Sequence, residues 1–581
     1  MTTHLPLKST TILAIMAGTA IMTATQVNAD TSSTLTSTEH VQKDHLNVEQ
    51  GWGNDVQNIV WNETGQYYDI YFLHSADGGD NPFGEQGQDW YHTTTKDFVH
   101  YTKQNTAISS FGPNSQYTWK SAWTGSVVTN QGNIAGVPKG AKVAYFSGLE
   151  KNDGGSQNIW AAWSSDNGKT FSHVLNNANP ILDHSWNYTS ANHADLRDSS
   201  VFYKDGEMYM YTSEGQEIGV YKSKDGLKWE KADKDGESKV KPATFFAGHS
   251  WTGNEPIECP ALRTMKMANG KTKQVLFFGA KDASQAETTG TYYVVGHLDK
   301  NGLFVNETNA KRVDQGSDFY GVNVSGSDDI NQVNSSLNAL GWVGNWNTTG
   351  SGIHSDQNGE SSLAKRLGVY SSVRKLVLNN DLTLNQTTSF GEDFFKSRTF
   401  YKATTTSPVN ANNKQATNGQ DTNGTIYNLY DKANENANQV YKLTFNQKAK
   451  QYKGRIYIDI WQGKDYIKFN YDPTTGYYNV KGYSSELDNN NSGQGTSNYY
   501  KNGLLGNGNG YMNQSGYLNT GAVNLKVVTD KSSVEFFFPN GQSYTVARYA
   551  TSDKQDFKIY TEDPDINQDA NTVNISKTVV K

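Results

Sequence analysis

The sequence predicts an all-β protein, with a five-bladed β-propeller over residues 45–390 followed by a β-sandwich over residues 391–581. Three observations carry that reading. The chain holds 34 Tyr, 13 Trp and 23 Phe beside 54 Gly; aromatic side chains favour pleated, half-buried strands and glycine favours tight turns. Gly-containing turns repeatedly divide aromatic and β-branched runs, and no long 3.6-residue period competes with them. One turn recurs at roughly 60–70 residues, the interval of a stacked supersecondary unit, and four-stranded units arranged radially make a propeller.

Taken in order, the chain opens with Lys8, an apolar run from Ile12 to Met22, and Val27-Asn28-Ala29. That order of charged, apolar and small residues reads as a secretory signal over residues 1–29, too short to span a membrane. Residues 30–44 are rich in Ser and Thr and read as a flexible lead-in. Hairpins follow at Asn62-Glu63-Thr64-Gly65, at Gly206 and at Asn269-Gly270, each between strand-like runs. The recurring turn is Thr95-Lys96-Asp97 ending at Tyr101, Ser165-Asp166-Asn167-Gly168 ending at Phe171, and Ser223-Lys224-Asp225-Gly226 ending at Trp229. From Thr404 to Thr425 the text is mostly Thr, Asn, Gln and Gly, a long loop near the start of the second domain. Beyond it, Val440–Phe445, Gly454–Ile460 and Val534–Phe538 read as sandwich strands.

The formal net charge of −7 argues against a nucleic-acid partner. Cys259 is the only cysteine, so no intrachain disulfide forms and stability must come from burial. The 12 His show no ligand spacing, and neither a metal nor a cofactor is expected.

Where the acids fall is more informative. Asp55 opens the run Val56–Trp61, Asp198 opens Ser199–Tyr203, and Glu258 opens Cys259–Arg263. Trp123-Thr124-Gly125-Ser126 opens a further hairpin at Val127-Val128. The acids are separated by about two repeat units and then one, so they occupy one position in three units, just before the first strand. The first strands of a propeller line its central channel, which would bring three carboxyl groups to one mouth. Like charges so close raise at least one pKa, which keeps a carboxyl group protonated as a general acid.

At these residues the chain resembles glycoside hydrolase family 32, the fructan- and sucrose-splitting enzymes. Gly51-Trp52-Gly53-Asn54-Asp55-Val56-Gln57 resembles the family's Trp-x-Asn-Asp-Pro-Asn-Gly motif, and Leu196-Arg197-Asp198-Ser199 its Arg-Asp-Pro motif. Glu258-Cys259-Pro260 matches its Glu-Cys-Pro motif. Trp90-Tyr91-His92 and Ala122-Trp123-Thr124-Gly125-Ser126 resemble two segments of the family's active-site rim, and Ser532–Phe537 a late sandwich strand.

The resemblance implies a five-bladed propeller with a sandwich, and a retaining mechanism. It implies Asp55 as nucleophile, Glu258 as general acid/base and Asp198 as the group that grips ring hydroxyls and stabilises the transition state. Arg197, next to Asp198, is expected to help keep it ionised. Asn54 and Gln57 are expected to hydrogen-bond the fructosyl unit, and Trp52 and Trp123 to wall the sugar's C–H faces. Trp90, Thr124 and Cys259 lie within the matched motifs and are expected in the substrate-binding lining, the thiol as a small hydrophobe rather than a nucleophile.

Val56, Gln57 and Ser199 replace residues of the family pattern, and Tyr71-Phe72-Leu73 replaces its Phe-Tyr-Gln. These departures resemble the polymer-degrading side of the family, so the expected partner is a fructan or fructo-oligosaccharide. Exo release of fructose is expected from a secreted enzyme, with endo cleavage or fructosyl transfer as alternatives. A non-catalytic sugar-binding propeller would leave the three acids without a role. A sialidase would need more arginines at strand starts. Arabinan-cleaving propellers match the Trp-x-Asn-Asp and Glu-Cys-Pro segments poorly.

Overall fold

The computed structural model of the chain describes residues 42–49, 51–76, 86–110, 118–151, 156–183, 196–246, 256–280, 290–344, 368–390, 397–402, 408–409, 426–444, 455–483, 511–518, 524–548, 552–562 and 572–577. The expected signal, most of the lead-in and most of the Thr404–Thr425 loop lie outside them. No helix among the described residues is long and apolar enough to cross a membrane.

The described chain is built of strands. Five small antiparallel sheets follow one another, each adding its strands in chain order. Their opening strands are Gly53–Asn62, Trp119–Thr129, Leu196–Lys204, Ile257–Lys266 and Tyr320–Val324. Each opening strand packs against that of the next sheet, and the fifth packs back against the first. The hairpins form where the sequence places them. Leu196–Lys204 and Glu207–Glu214 are joined by Asp205 and Gly206, both at positive φ (53° and 81°), the two-residue turn whose twist suits paired strands.

The recurring turn is more regular than the sequence suggested. It links the third and fourth strands of all five sheets, and in each an aspartate Oδ1 accepts backbone N–H groups a few residues on. Asp97 accepts from Val99 and His100 (2.9 and 2.7 Å), Asp166 from Thr170 (2.8 Å), and Asp225 from Leu227 and Lys228 (3.0 and 2.8 Å). Asp299 and Asp381 do the same for Leu303 and Thr383 (2.8 and 3.1 Å). Three of these turns also tie neighbouring sheets. The Tyr71, Tyr145 and Tyr211 hydroxyls, from second strands, donate to the Gly168, Gly226 and Gly302 carbonyls of the following sheet (2.7, 3.1 and 2.7 Å). Each is worth about 1 kcal/mol net.

Two larger antiparallel sheets, of six and seven strands, complete the described fold. Their facing sides meet through rings: Tyr441 stacks on Phe557 at 3.7 Å, and Phe469 on Phe536 at 4.9 Å. One apolar cluster runs on from there to Val56, Ile70 and Phe72 of the first small sheet and Leu340 of the fifth.

The two halves are also joined by buried charge. His45 lies between Asp530 (2.8 Å) and Glu535 (3.0 Å) of the six-stranded sheet. Glu535 pairs with Arg374 of the fifth small sheet (2.8 Å), and Arg374 pairs with Asp314 (2.7 Å). Residues 42–44 were expected to be the flexible end of the lead-in. Instead the Lys43 and Asp44 N–H groups donate to Asp530, and the Gln42 amide donates to the Tyr370 carbonyl (2.8 Å). Polar composition suggested solvation, but these polar groups find partners far along the chain, at Tyr370 and Asp530.

Burial alone would lower the pKa of His45, but the hydrogen bonds and charges of Asp530 and Glu535 outweigh it and raise it from 6.5 to about 10. A group raised on folding stabilises the fold fully below its unfolded pKa and loses that contribution as pH rises through the folded one. His45→Asn is therefore expected to lower Tm most near pH 6, with the deficit shrinking toward pH 10 in calorimetry. A deficit constant across that range would rule out a charged His45.

Candidate active site

Each opening strand slips against its second strand, once in the third, fourth and fifth sheets and twice in the first two, where further steps lie at Val56–Asn58 and Trp119–Ser121. The other irregular steps span Gly53–Val56, Trp123–Gly125, Glu258–Ala261 and Tyr320–Asn323, and in the third sheet the segment between Arg197 and Ser200. A bulge leaves its residues out of the ladder and re-aims their side chains. Within these bulges stand Asp55, Thr124, Asp198, Cys259 and Gly321. Asp198, Cys259 and Gly321 take positive φ (61°, 52° and 54°), which costs about 1–3 kcal/mol at each non-glycine position.

The bulges bring the three predicted acids together. Asp55, Asp198 and Glu258 are 8%, 4% and 8% exposed. The Cys259 Sγ lies 3.8 Å from Asp55 Oδ2 and 3.7 Å from Asp198 Oδ2, a thiol between two carboxylates. The Cys259 N–H donates to Asp198 Oδ2 (3.0 Å), and the Thr124 hydroxyl donates to Asp55 Oδ2 (3.3 Å). Glu258 accepts from the Arg197 guanidinium at Oε1 (2.9 Å) and from the Tyr320 hydroxyl at Oε2 (2.5 Å). Burial pushes the Cys259 thiol well above its usual range, and the charges of Asp198, Asp55 and Glu258 add to that. The thiol is a weak neutral donor, not a nucleophile.

The structure gives partners within the protein to several of the residues expected to bind substrate. The Arg197 guanidinium reaches Glu258 across the sheet boundary (2.9 Å). Gln57 is fully buried and works as a strut: it accepts from the Gly125 N–H (3.0 Å) and donates to the Asp55 carbonyl (2.9 Å). Trp90 is 0% exposed and donates to the Trp123 carbonyl (3.0 Å). Trp52 is 2% exposed, edge-on to Trp342, and its indole donates to Asn54 Oδ1 (3.1 Å). The Gln88 amide donates to the same oxygen (3.1 Å), which fixes the Asn54 amide. Trp123 is the half-buried indole of the three, and its Nε1 has no partner among the described residues.

Sequence reasoning missed Tyr320, Gly321 and Ser147. The Ser147 hydroxyl accepts from the Asp198 N–H (2.8 Å) and donates to the Thr124 carbonyl (2.8 Å), linking two bulges. Tyr320-Gly321 begins the fifth opening strand, the position that aligns with the acids, but a search for carboxylates passes over it.

Residues 45–387 match a family described as "Glycosyl hydrolases family 32 N-terminal domain", and residues 380–577 match its "C terminal" partner. The chain belongs to glycosyl hydrolase family 32.

Among curated relatives, a levanbiose-producing levanase of Bacillus subtilis is 28% identical over 307 residues. That match spans about half of each protein, 52% of this chain and 52% of the levanase. An extracellular exo-inulinase of Meyerozyma guilliermondii is 23% identical, over 76% of this chain and 78% of its own. The fold matches that of exo-inulinase from Aspergillus awamori (TM-score 0.68, 18% identity, 93% of this chain and 98% of that one). It also matches a fructofuranosidase of Schwanniomyces occidentalis solved with fructosylnystose (TM-score 0.67, 18% identity, 95% and 99%).

A methyl group at position 321 of this family 32 chain would stand 2.2 Å from Asp55 Oδ1, at a backbone φ of 54° that suits glycine. Gly321→Ala is expected to lower kcat/KM at least about tenfold by displacing Asp55, given the ~10²-fold cost of a 1 Å misplacement. The circular dichroism spectrum should be retained. Unchanged kcat/KM would show that Asp55 has no fixed role there.

Proposed function

We propose that the protein is a secreted retaining β-fructosidase that degrades fructans of the levan or inulin type. In this reading the five small sheets are the blades of a propeller, the two larger sheets form a sandwich, and the described site is the channel mouth. Asp55 attacks the anomeric C2 of the terminal fructosyl unit while Glu258 gives a proton to the departing oxygen. Water then resolves the fructosyl–Asp55 ester, and Glu258 takes the water's proton. Asp198 accepts two ring hydroxyls and stabilises the oxocarbenium-like transition state.

The observation that carries this reading is the convergence of the three acids from three bulged strands around one thiol, with the Arg197 guanidinium on Glu258. The half-buried Trp123 offers an indole face for sugar C–H groups. The apolar N-terminal segment, Ile12 to Met22, and the extracellular exo-inulinase relative support secretion.

Exo release of fructose is the leading product pattern. One observation favours a second: the levanase relative is named for making levanbiose, and an enzyme of that kind releases fructose pairs or longer pieces. The cleft-rim segments expected to decide this, Ser75–Asp89 and Ile181–His193, fall largely outside the described residues.

Anion-exchange chromatography of early digests of levan, inulin and sucrose tests both levels. Fructose alone from the first time point is the expected result; a disaccharide or oligosaccharide ladder would replace exo with endo action. Asp55→Asn should abolish turnover, and Glu258→Gln should lower kcat by about 10²–10⁴, the usual worth of a general acid. Full activity in both variants would overturn the assignment of the site.

A further inference from the structure

We propose that Tyr320 is a positioning residue for Glu258, holding its carboxyl group in one orientation through both halves of the catalytic cycle; the proposal rests on the reading of Glu258 as general acid/base. The geometry singles the residue out. Its hydroxyl donates to Glu258 Oε2 at 2.5 Å, while Arg197 from the third sheet occupies Oε1. Tyr320 is 0% exposed, so it acts through Glu258 and does not touch substrate. Its ring lies in a slot over Gly279, which pairs directly with Glu258 across the fourth sheet's first hairpin. A methyl group at Gly279 would stand 2.7 Å from the Tyr320 hydroxyl and 2.9–3.0 Å from its ring. The slot exists only because position 279 has no side chain.

A phenol suits this position for a chemical reason. Glu258 must alternate between acid and carboxylate, and a hydroxyl can follow both: it donates to the carboxylate and, after rotation, accepts from the acid. Arg197 is a donor only and serves the ionised form. Burial raises the Tyr320 phenol well above its usual range, and the neighbouring Glu258 charge adds to it. Tyr320 therefore keeps its proton throughout: in the first step the proton leaving Glu258 goes to the departing sugar oxygen, and in the second Glu258 is reprotonated by the attacking water. Among the described residues, five titratable or charged groups stand in this cluster around Glu258. They are Arg197 and Asp198 of the third sheet, Asp55 of the first, Cys259 beside it and Tyr320 of the fifth.

The test compares Tyr320→Phe, Gly279→Ala and Glu258→Gln, each on a fructan and on an aryl β-fructofuranoside whose leaving group departs without protonation. For Tyr320→Phe, kcat on fructan should fall about 10–100-fold, part of the ~10²–10⁴ that general acid–base catalysis supplies, with KM within about twofold. The aryl substrate should lose less. The basic limb of the kcat–pH profile should move upward, because removing a donor to the carboxylate disfavours the ionised form. Gly279→Ala, which displaces the phenol without removing it, should shift the profile in the same direction. Wild-type kcat in Tyr320→Phe, an unmoved basic limb, or equal losses on both substrates would overturn the proposal while Glu258→Gln remains impaired. Full activity in Glu258→Gln would instead remove the reading on which it rests.

Discussion

In a regular antiparallel strand consecutive side chains point to opposite faces, so Arg197 and Asp198, or Glu258 and Cys259, would point apart. Here both members of each pair serve one site, because the backbone between them leaves the ladder. The bulge within each opening strand is the constraint on which the site depends. It requires left-handed φ at Asp198 and Cys259, residues with no intrinsic preference for it beyond the tolerance of Asp. The surroundings hold that conformation in place: the Asp198 N–H is taken by Ser147, and the Cys259 N–H by Asp198. Pro260, lacking an N–H, sits where the ladder is already broken.

A bulge aims a side chain only relative to its own sheet, and the ring fixes the sheets relative to one another. Tyrosine hydroxyls tie three successive pairs at their outer turns. At the far end of the opening strands, the segment after Val324 crosses three sheets. Asp328 accepts from the Thr129 N–H (2.8 Å) and the Tyr203 N–H (2.7 Å), and the Lys266 N–H donates to the Asn334 carbonyl (2.9 Å). The six-stranded sheet locks the fifth small sheet through Glu535 and Arg374, with His45 from the start of the described chain on the same carboxylate. Removing one partner of such a buried cluster strands the rest, whereas the intact cluster fixes geometry more than it adds stability.

The repeat, the hairpins and the three acids were legible in the sequence because each rests on local text: an Asp-Gly turn, an alternating run, a carboxylate before a strand. What the sequence did not reveal was which way a side chain faces once a bulge interrupts the alternation. Trp52, Gln57 and Trp90 were the right residue types in the right motifs, yet they face inward and hold Asn54, Gly125 and Trp123 in place. Arg197 was assigned to its chain neighbour, while the ring brings Glu258, 61 residues away, within reach. Tyr320 and Gly321 carry no acid, and Gly321 matters for what it lacks. The segment at residues 42–44 reads as solvated, and only contacts across some 486 residues of chain bury it.

The neutral donors of the site follow from its charge balance. A second cation beside Asp55 would hold it ionised but would also lower its nucleophilicity and compete for the hydroxyls that Asp198 is proposed to bind. The carboxylates are instead met by a thiol, a threonine hydroxyl, a phenol and backbone N–H groups, each too weak an acid at this burial to give up its proton. Such donors satisfy oxygen lone pairs without neutralising the excess negative charge of the set. In the proposed reaction, negative charge on the set stabilises the positive charge developing at the anomeric carbon. Glu258 carries the Arg197 guanidinium on one oxygen, which in the proposed reaction balances its charge when the proton leaves, and a phenol on the other in either state.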